Sequence, residues 1–321
     1  MLCILNPSRD IYFNLAAEEY LLKNSDSEVI MLWQSDHSVV VGKHQNALAE
    51  VNYLWALKNN ISIARRLTGG GTVYHGPGNL NFTFIRNGEP GRLVDFKRFV
   101  LPIIDFLRTL GIEAMAGERN DILVNGLKIS GNAEHVFKSR VLHHGTLLFD
   151  ADLNELNSSI RMNKKNYRDK AVQSVSSRVT NIRSLLKKDI PFEQFTSALF
   201  TYLMQYFSHA SRYELEAHKI KSIQLLRNNK YSQEEWIFGY SPPFEFSNIA
   251  RWNNYMLNID LKIEKGNIHN ISIRSDEKNV LFIRLEKHLT GCHYLLPAIE
   301  RKVYQIVKNK KETEIISALF F

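Results

Sequence analysis

The sequence predicts an α+β protein in which mixed, largely antiparallel sheets are flanked by helices, followed by a small α+β C-terminal domain. Strand-like and helix-like runs follow one another without the regular βαβα repeat of a doubly wound sheet. The hydrophobic share of 44% is ordinary for a chain that buries a sizeable core. Late in the chain, Pro242 and Pro243 break whatever element precedes them. We therefore expect two domains, residues 1–243 and residues 244–321.

The N-terminal elements begin with a short strand and a helix. Asp10 is placed to cap this helix, whose apolar face includes Leu15, Tyr20 and Leu21. Two β-rich runs follow, EVIMLW and SVVVGK, and the polar QSDH between them predicts a β-hairpin. The next two runs predict a helix in VNYLWALKNN and a strand in ISIARR.

The middle of the chain continues the mixture of strands and helices. An alternating strand, NLNFTFIR, precedes a long amphipathic helix, DFKRFVLPIIDFLRTLG, which ends at Gly111. Three strand-like runs follow, around Ile112–Ala116, in DILVNG and in RVLHHGTLLF. Residues 152–184 turn polar and basic, which predicts one short helix and a surface loop.

The last part of the chain carries clear boundary signals. Pro191 opens the helix PFEQFTSALFTYLMQYF at a position where proline is tolerated. Beyond the two prolines, YMLNIDLKIEKGNIHNISIRS predicts a hairpin that turns at residues 265–267, with helices from there to the end.

Composition limits the classes of protein. The formal net charge of +8 favours anionic partners without choosing among nucleotides, nucleic acid, membranes and acidic proteins. Cys3 and Cys292 are the only cysteines, so a disulfide framework and a cysteine zinc site are excluded. No apolar run approaches the ~18 residues of a membrane span, and the N-terminus lacks the pattern of a signal peptide. We expect a soluble, cytoplasmic protein.

The most glycine-dense segment is RRLTGGGTVYHGPGN, residues 65–79. Consecutive glycines let the backbone approach a ligand closely, and their N–H groups can line an anion-binding concavity. Arg65 and Arg66 supply charge suited to a carboxylate or a phosphate. Because neighbouring strand residues point to opposite faces, only one arginine is expected to reach the site. A solvated glycine-rich turn is the alternative.

Two common phosphate motifs are absent. Gly42-Lys43 resembles the end of a P-loop, but His44 stands where serine or threonine belongs. The glycines also lack the dinucleotide-binding spacing. A nucleotide would have to be held by another device.

A second cluster is RNDILVNGLKISGNAEH. Asp121 is a candidate Mg²⁺ ligand, because this ion prefers carboxylate and phosphate oxygens. Lys128 is a point charge able to reach a carboxylate or an α-phosphate, although an ordinary strand pair with a surface lysine fits the same pattern. His143 and His144 are adjacent, so in a strand they face opposite sides and cannot chelate one metal together.

These segments together resemble the lipoate–protein ligases and the related lipoyltransferases. The similar stretches, in order, are FNLAAEEYLL, VVVGKHQNALAEVN, ARRLTGGGTVYHGPGNLNFTF, NDILVNGLKISGNA, HHGTLLFDADL and SVSSRVTNI. EEWIFGYSPPF is similar to the entry into the family's small C-terminal domain. One departure is Gly76, since family members often carry an acidic residue directly after the histidine of VYH.

The resemblance implies a set of site residues. Lys128 is the implied catalytic residue, binding both the lipoate carbonyl and the adenylate phosphate, and Asp121 is the implied Mg²⁺ ligand. The implied nucleotide- and lipoate-binding residues are Arg66, Gly69, Gly70, Gly71, Thr72, Val73, Tyr74, His75, Asn79, Lys128, Ser130, Gly131 and His144.

The resemblance also implies the reaction and its participants. ATP and Mg²⁺ activate lipoate to lipoyl-AMP, and the lipoyl group then passes to a lysine of an acceptor domain. Such acceptors occur in 2-oxoacid dehydrogenase acyltransferase subunits and in the glycine cleavage H protein. No permanently bound cofactor, nucleic acid or membrane is expected. Residues 161–178 are a candidate loop that closes over the adenylate, and the basic stretch from Arg161 to Lys188 is a candidate docking face.

Other functions predict different features. A lipoyltransferase that takes preformed lipoyl-AMP shares nearly every motif, so the sequence does not exclude it. An octanoyltransferase needs a thiol nucleophile in the pocket, and both cysteines lie outside the pocket segments. A biotin ligase has a different arginine–glycine loop. A basic nucleic-acid-binding protein should interleave aromatic residues with its charges, whereas residues 163–188 hold only Tyr167.

Overall fold

The computed structural model describes residues 1–88 and 93–321. Within these ranges the strands are β1 (Leu2–Asn6), β2 (Val29–Trp33), β3 (Ser38–Val41), β4 (Ser62–Arg65), β5 (Val73–His75), β6 (Asn79–Asn87), β7 (Met115–Ala116), β8 (Asp121–Val124), β9 (Leu127–Phe137), β10 (Arg140–Leu148), β11 (Tyr167–Asp169), β12 (Ser211–Arg212), β13 (Phe244–Trp252), β14 (Tyr255–Glu264) and β15 (Asn267–Ser275).

The α-helices in the same ranges are α1 (Ile11–Asn24), α2 (Ala47–Glu50), α3 (Tyr53–Lys58), α4 (Phe96–Thr109), α5 (Leu153–Ser159), α6 (Phe192–Tyr206), α7 (Ala217–Leu226), α8 (Val280–Leu289), α9 (Leu296–Val307) and α10 (Lys310–Ala318). Single turns of other helix types cover Arg183–Leu185, Arg227–Tyr231 and Glu235–Gly239. None of these helices has the length and continuous apolarity that a membrane span requires.

The largest sheet has eight strands in the order β12-β1-β2-β6-β10-β9-β8-β7. β1 runs parallel to β2 and to β12, whereas the other neighbours are antiparallel. Helices cover both faces of this sheet. On one face α4 and α6 pack through a core that includes Phe82 and Phe195; on the other α1 packs against residues such as Met31 and Leu142. Two-sided burial explains why all five residues of β2 are apolar and buried.

The small sheet has the order β4-β3-β5. The predicted hairpin between β2 and β3 is wrong, because β2 pairs with β1 and β6 whereas β3 pairs with β4 and β5. The connecting residues carry the chain from one sheet to the other, and the Asp36 N–H donates to Arg9 O. Both strands are buried at every position and, apart from Ser38, apolar, so their composition does not select the partner strand.

Several local signals gave the correct boundaries. The Asp10 side chain accepts hydrogen bonds from two N–H groups of the first turn of α1, Pro191 precedes α6, and Gly111 follows α4 with a positive φ of 77°. The predicted hairpin of the C-terminal part is confirmed, since β14 and β15 pair across Lys265 and Gly266, both at positive φ. The predicted α+β fold class is confirmed as well.

A third sheet, with the order β11-β13-β14-β15, forms the C-terminal part together with α8, α9 and α10. Its core continues into the first part of the chain: Tyr53 of α3 contacts Phe238 and Phe321 with ring centroids 5.9 and 5.1 Å apart. β11 comes from the polar loop that precedes residue 184, yet it completes this sheet. A domain boundary at residue 243 stays a prediction.

We predict that Phe195→Ala, in the first turn of α6, lowers the free energy of unfolding by about 3–5 kcal/mol, because it opens a cavity in a packed core. The Phe195 ring is fully buried and lies 4.5 Å from Phe149 and 5.5 Å from Phe106, measured between centroids. Urea unfolding followed by circular dichroism measures the change. Gln205→Ala, at an exposed position of the same helix, is the control and should stay within about 0.5 kcal/mol of wild type. A similar stability for both variants would contradict the packing described above.

Candidate active site

A cavity of about 410 Å³ lies between the large sheet and the small sheet. The large sheet contributes side chains of β2, β6, β9 and β10, and the small sheet contributes β3 and β5. The remaining wall is made by the glycine-rich loop, by the turn before β8 and by residues 172–177. Its lining residues are Leu15, Trp33, Val40, Arg66, Gly70–Val73, His75, Asn81, Arg119–Asp121, Lys128, Gly131–Ala133, His144–Thr146, Val172–Val175 and Ser177.

Arg65 and Arg66 point to opposite faces, as predicted, and only Arg66 lines the cavity. The Arg65 guanidinium is fully buried and donates to carbonyl oxygens of Gly42, Lys43 and Gln45 at 2.8–3.0 Å. On its other side it donates to carbonyl oxygens of residues 236–237 and to the Ser241 hydroxyl at 2.7–3.0 Å. Burial lowers the pKa of Arg65 to about 9, so the group stays charged at neutral pH. Arg65 therefore organises backbone rather than ligand.

Arg66 also spends most of its donors on the protein. Its N–H groups donate to Thr68 Oγ1 at 2.9 Å, Val40 O at 3.1 Å and the carbonyls of Gly69 and Gly71 at 2.6 and 2.7 Å. Four of the five guanidinium N–H groups are thus engaged. Burial lowers the Arg66 pKa to about 10. Arg66 shapes the glycine-rich loop and lends the cavity its charge, with at most one N–H left for a ligand.

The glycine-rich loop is packed tightly from both sides. A Cβ atom on Gly42 would lie 2.1 Å from Gly70 O, and a Cβ on Gly71 would lie 3.2 Å from Ser174 Oγ. Gly70 has a φ of +87°, which favours glycine. The loop therefore needs Gly70 for its backbone conformation and Gly71 for its close approach to Ser174, whereas a Cβ on Gly69 would meet nothing within 4 Å.

Lys128 and Asp121 face the same part of the cavity from neighbouring strands. Lys128 pairs with Leu123 and Ser130 pairs with the adjacent Ile122, so β9 has a bulge between its two paired residues. Burial lowers the pKa of Lys128, and the charge of Asp121 partly opposes this shift. Asp121 is 7% exposed, and its Oδ1 has no hydrogen-bond partner among the described residues. Gly117 packs against it, since a Cβ there would lie 2.0 Å from that oxygen.

A network of polar side chains supports the opposite wall. Thr68 Oγ1 accepts a hydrogen bond from Arg66 and lies 2.8 Å from His144 Nε2. His144 Nδ1 lies 2.9 Å from Glu18 Oε2, and the Thr83 hydroxyl donates to Glu18 at 2.6 Å. The Thr68 hydroxyl can therefore donate to His144 Nε2, which leaves the Nδ1 proton for Glu18. His144 lines the cavity in a fixed tautomer.

His75 and Asn81 are buried, line the cavity and have no side-chain hydrogen-bond partners among the described residues. The Trp33 ring meets His75 edge-on at a centroid distance of 5.6 Å. Burial lowers the pKa of His75 to about 3, with His144 and Arg66 adding to the shift. His75 is therefore neutral at physiological pH.

Several predicted residues lie outside the cavity lining. Tyr74 is buried in the small sheet, and its hydroxyl bonds to Glu155 and His37. Asn79 closes the turn before β6, accepting from Gly76 N and donating to Tyr74 O. Gly69 and Ser130 are likewise absent from the lining. A Cβ on Gly76 would lie 2.6 Å from the Tyr74 hydroxyl, which accounts for glycine at that position.

Some lining residues were not predicted from the sequence, among them Arg119, Asn120, Asn132, Trp33 and Asn81. Asn81 is a polar residue at a buried strand position, which is a signal the sequence did contain. The others stand in turns and strands where nothing in the local pattern distinguishes them.

The loop of residues 161–178 is hydrogen-bonded to Glu50 of α2 and to the glycine-rich loop. The Glu50 carboxylate accepts hydrogen bonds from Lys164 Nζ and Ser174 Oγ, and Ser174 Oγ accepts from Thr72 N at 2.9 Å. The Lys128 N–H donates to Arg178 O at 2.9 Å. The loop is thereby tied at both ends of the cavity.

Known protein families match both the first part of the chain and its C-terminal part. A family model described as the lipoyl protein ligase A/B catalytic domain matches residues 10–204, and one described as the bacterial lipoate protein ligase C-terminus matches residues 241–319. Lipoate-protein ligase LplJ of Bacillus subtilis is 35% identical, covering 89% of this chain and 88% of its own length. Lipoate–protein ligase 1 of Staphylococcus aureus is 34% identical, covering 92% and 90%.

Two solved structures resemble the fold described here. The crystal structure of a lipoate-protein ligase A bound with ATP has a TM-score of 0.63 at 28% identity, covering 74% of this chain and 98% of that one. The structure of P. falciparum LipL1 in complex with lipoate has a TM-score of 0.62 at 25% identity, covering 99% of this chain and 98% of that one.

We predict that His75 makes the protein less stable in mild acid. Its pKa is lowered from 6.5 to about 3, so between these values the native state binds fewer protons than the unfolded state. Stability therefore falls as pH falls through this window, by about 2 kcal/mol at pH 5. The loss of unfolding free energy from pH 7 to pH 5 should be smaller by that amount in His75→Gln. His269→Gln, at an exposed position, should lose as much as wild type. An equal loss in all three proteins would show that His75 is not buried in its neutral form.

Proposed function

This chain belongs to the lipoate–protein ligase family, and we propose that it performs both steps of lipoate attachment, activation with ATP and transfer to a lysine. The resemblance read from the sequence is thereby confirmed at the level of the family. The observation that carries the proposal is one cavity in which Lys128 and Asp121 stand beside the glycine-rich loop while Leu15, Trp33 and Val40 line apolar wall. Such a cavity suits an acyl chain whose carboxylate must meet a phosphate.

In the first step a lipoate carboxylate oxygen attacks the α-phosphorus of ATP. The new P–O bond forms as the bond from the α-phosphorus to the bridging oxygen breaks, and pyrophosphate leaves. The charge of Lys128 offsets the repulsion between carboxylate and phosphate, and the loop holds the two in line. No enzyme nucleophile is needed.

Asp121 fits the role of a magnesium ligand. Magnesium is commonly held by one or two carboxylates with phosphate oxygens and waters, and Asp121 has a buried oxygen without a partner in the described part of the chain. The described residues offer no group of three His, Cys, Asp or Glu side chains for a metal, so phosphates and water would complete the shell. When bound, the ion supplies positive charge to the phosphate oxygens.

In the second step the amine of an acceptor lysine attacks the carbonyl carbon of lipoyl-AMP. An amide bond forms, AMP leaves with the pair of electrons of the anhydride bond, and the lysine loses a proton. The thioester route of an octanoyltransferase has no support, since Cys3 and Cys292 are buried and neither lines the cavity. Residues 161–178 would protect the adenylate from water.

The choice between a full ligase and a transferase that needs preformed lipoyl-AMP requires an experiment. The protein is incubated with ATP, lipoate and Mg²⁺, and pyrophosphate and lipoyl-AMP are measured. Their stoichiometric formation supports the ligase. Transfer from added lipoyl-AMP without pyrophosphate release from ATP would assign the transferase. A cytoplasmic location and the lack of nucleic-acid or membrane partners stay predictions.

We predict that Lys128→Ala leaves the protein folded and slows adenylate formation by about 10²–10³-fold, because the free cation beside the reacting oxygens is lost. Pyrophosphate release measures the rate, and circular dichroism checks the fold. Lys188→Ala, at an exposed position outside the cavity, is the matched control and should keep the wild-type rate. A well-folded Lys128→Ala variant with normal pyrophosphate release would remove Lys128 from the site.

The acceptor domain is expected to dock on basic residues of the 161–178 loop. Lys164 does not qualify, because its ammonium is paired with the buried Glu50. Lys165, Arg168 and Lys170 are exposed. The first two border a groove with Ile249, which is 71% exposed, and Arg274. Asp260 also lines the groove and pairs with Arg274 at 2.6 Å. Lys165 and Arg168 therefore give the groove its net positive charge, which suits a small acidic partner.

We predict that neutralising Lys165, Arg168 and Lys170 to Gln slows transfer from purified lipoyl-AMP and removes much of its salt dependence. Surface charges accelerate encounter and are screened over roughly 8 Å at physiological ionic strength. The rate of acceptor lipoylation is measured at low and moderate salt. The triple substitution Lys287→Gln, Lys310→Gln, Lys311→Gln changes the net charge equally at exposed positions elsewhere and should behave as wild type. If both triple variants transfer equally fast, the groove does not recruit the acceptor.

A further inference from the structure

Asn132, His143 and Glu134 form a hydrogen-bonded row that leads from the cavity wall into the core. Asn132 lines the cavity, and its Oδ1 lies 3.3 Å from His143 Nε2. His143 Nδ1 lies 2.9 Å from Glu134 Oε1. The side chain of His143 is fully buried, and that of Glu134 is 3% exposed. Two ionisable groups so deeply buried need an arrangement of protons that leaves no charge unpaired.

One backbone carbonyl determines where these protons lie. Asn120 O can only accept, and Asn132 Nδ2 donates to it at 3.1 Å, so the Asn132 amide must turn its Oδ1 toward His143. His143 Nε2 must then carry a proton. In a neutral ring this leaves Nδ1 as a lone pair, which Glu134 can meet only as a carboxylic acid that donates.

The surroundings favour the uncharged form of both groups. Phe99 stacks on the His143 ring at a centroid distance of 4.9 Å, and Phe96 meets it edge-on at 5.5 Å. Burial lowers the pKa of His143 well below its usual value and raises the pKa of Glu134 to about 7. Glu134 Oε2 has no hydrogen-bond partner among the residues described, which suits the carbonyl oxygen of an acid.

The titratable groups that face the pair come from two elements in the described part of the chain. Asp95 precedes α4; its backbone N–H lowers and its charge raises the Glu134 pKa. His144, next to His143 in β10, adds to the lowering of the His143 pKa. The contact from β6 is the apolar Phe82, with ring centroids 6.1 Å apart.

At its other end the row holds a turn of the cavity wall. Both the backbone N–H and the Nδ2 of Asn132 donate to Asn120 O, at 2.8 and 3.1 Å. Asn120 has a φ of +57°, a left-handed conformation that asparagine adopts more readily than most residues other than glycine. The same turn brings Arg119 and Asp121 into the lining.

We propose that Glu134 and His143 are positioning residues: the protonated Glu134 fixes the His143 tautomer, His143 orients Asn132, and Asn132 holds the turn that presents Asp121. Only the identity of the ligand at this end of the cavity, ATP with magnesium, rests on the proposed function.

Loss of the Glu134 proton to solvent reverses the row. The carboxylate then accepts from His143 Nδ1–H, and Nε2 becomes a lone pair facing Asn132 Oδ1. The Asn132 amide turns over to donate to Nε2, and its Nδ2 leaves Asn120 O. The turn is therefore held less firmly as pH rises through about 7.

Steady-state pyrophosphate release tests the consequence. The KM for ATP, at saturating lipoate and Mg²⁺, should rise about two- to tenfold across pH 7, the range expected for one hydrogen bond. Glu134→Gln supplies a permanent N–H donor to Nδ1, so this variant should keep the low-pH KM throughout. Glu134→Leu has neither the acid nor the carboxylate that turns the row over, so its KM should also be independent of pH. A wild-type KM that does not move with pH, or a Glu134→Gln variant that still follows the wild-type profile, overturns the positioning role.

Nitrogen-15 NMR of histidine-labelled protein without ligand tests the proton arrangement itself. His143, assigned by loss of its signals in His143→Gln, should be the Nε2–H tautomer below pH 7 and shift toward Nδ1–H above it. An Nδ1–H or doubly protonated ring at low pH overturns the inference. Because this measurement needs no substrate, its failure is distinct from a failure of the proposed function, which would appear as absent pyrophosphate release.

Discussion

The cavity depends on how the buried guanidinium of Arg65 is satisfied. A buried charge without partners costs several kcal/mol, and here the partners are backbone carbonyls of two segments, residues 42–45 and residues 236–237, with the Ser241 hydroxyl. Neither segment is a strand. Hydrogen bonds from one side chain therefore hold both segments. Arg65 joins residues 42–45, which lie beside the glycine-rich loop, to residues 236–241, which precede the C-terminal part.

On the other side of the chain from Arg65, Arg66 also donates most of its hydrogen bonds to protein groups. Its charge lies at the cavity, but four of its N–H groups hold the glycine-rich loop. Among the described residues, Lys128 and Arg119 are the other lysine and arginine side chains that line the cavity. Arg65 and Arg66 thus mainly hold backbone in place, whereas the proposed chemistry of the cavity depends on Lys128.

The sequence could predict what local rules decide. The cap at Asp10, the end of α4 before Gly111 and the hairpin around Gly266 each follow from a residue type at one position. Strand pairing does not. β2 pairs with the nearby β1 and with the distant β6. An apolar run that is buried on both faces does not indicate which strands it pairs with.

The same distinction applies to the site. Alternation along a strand predicted that only one of Arg65 and Arg66 reaches the site, and that His143 and His144 separate, because both follow from the pleat. Asn79 and Tyr74 belong to the same motif, but Asn79 bonds within its own turn and the Tyr74 hydroxyl bonds to Glu155 of α5 and to His37. Asn132 gains its place from a bond to Asn120 across the β8–β9 pair, a contact that no spacing along the chain encodes.

The pairing of β11 with β13 has a consequence for how the chain can be divided or recombined. The strand belongs to the loop over the cavity, yet it is the edge of the C-terminal sheet. A chimera that exchanged only residues after 243 would ask a foreign sheet to accept this edge strand in register. Any movement of the C-terminal sheet would also displace the loop of residues 161–178, because β11 is hydrogen-bonded to β13. The β11 segment and the C-terminal sheet therefore have to be exchanged together.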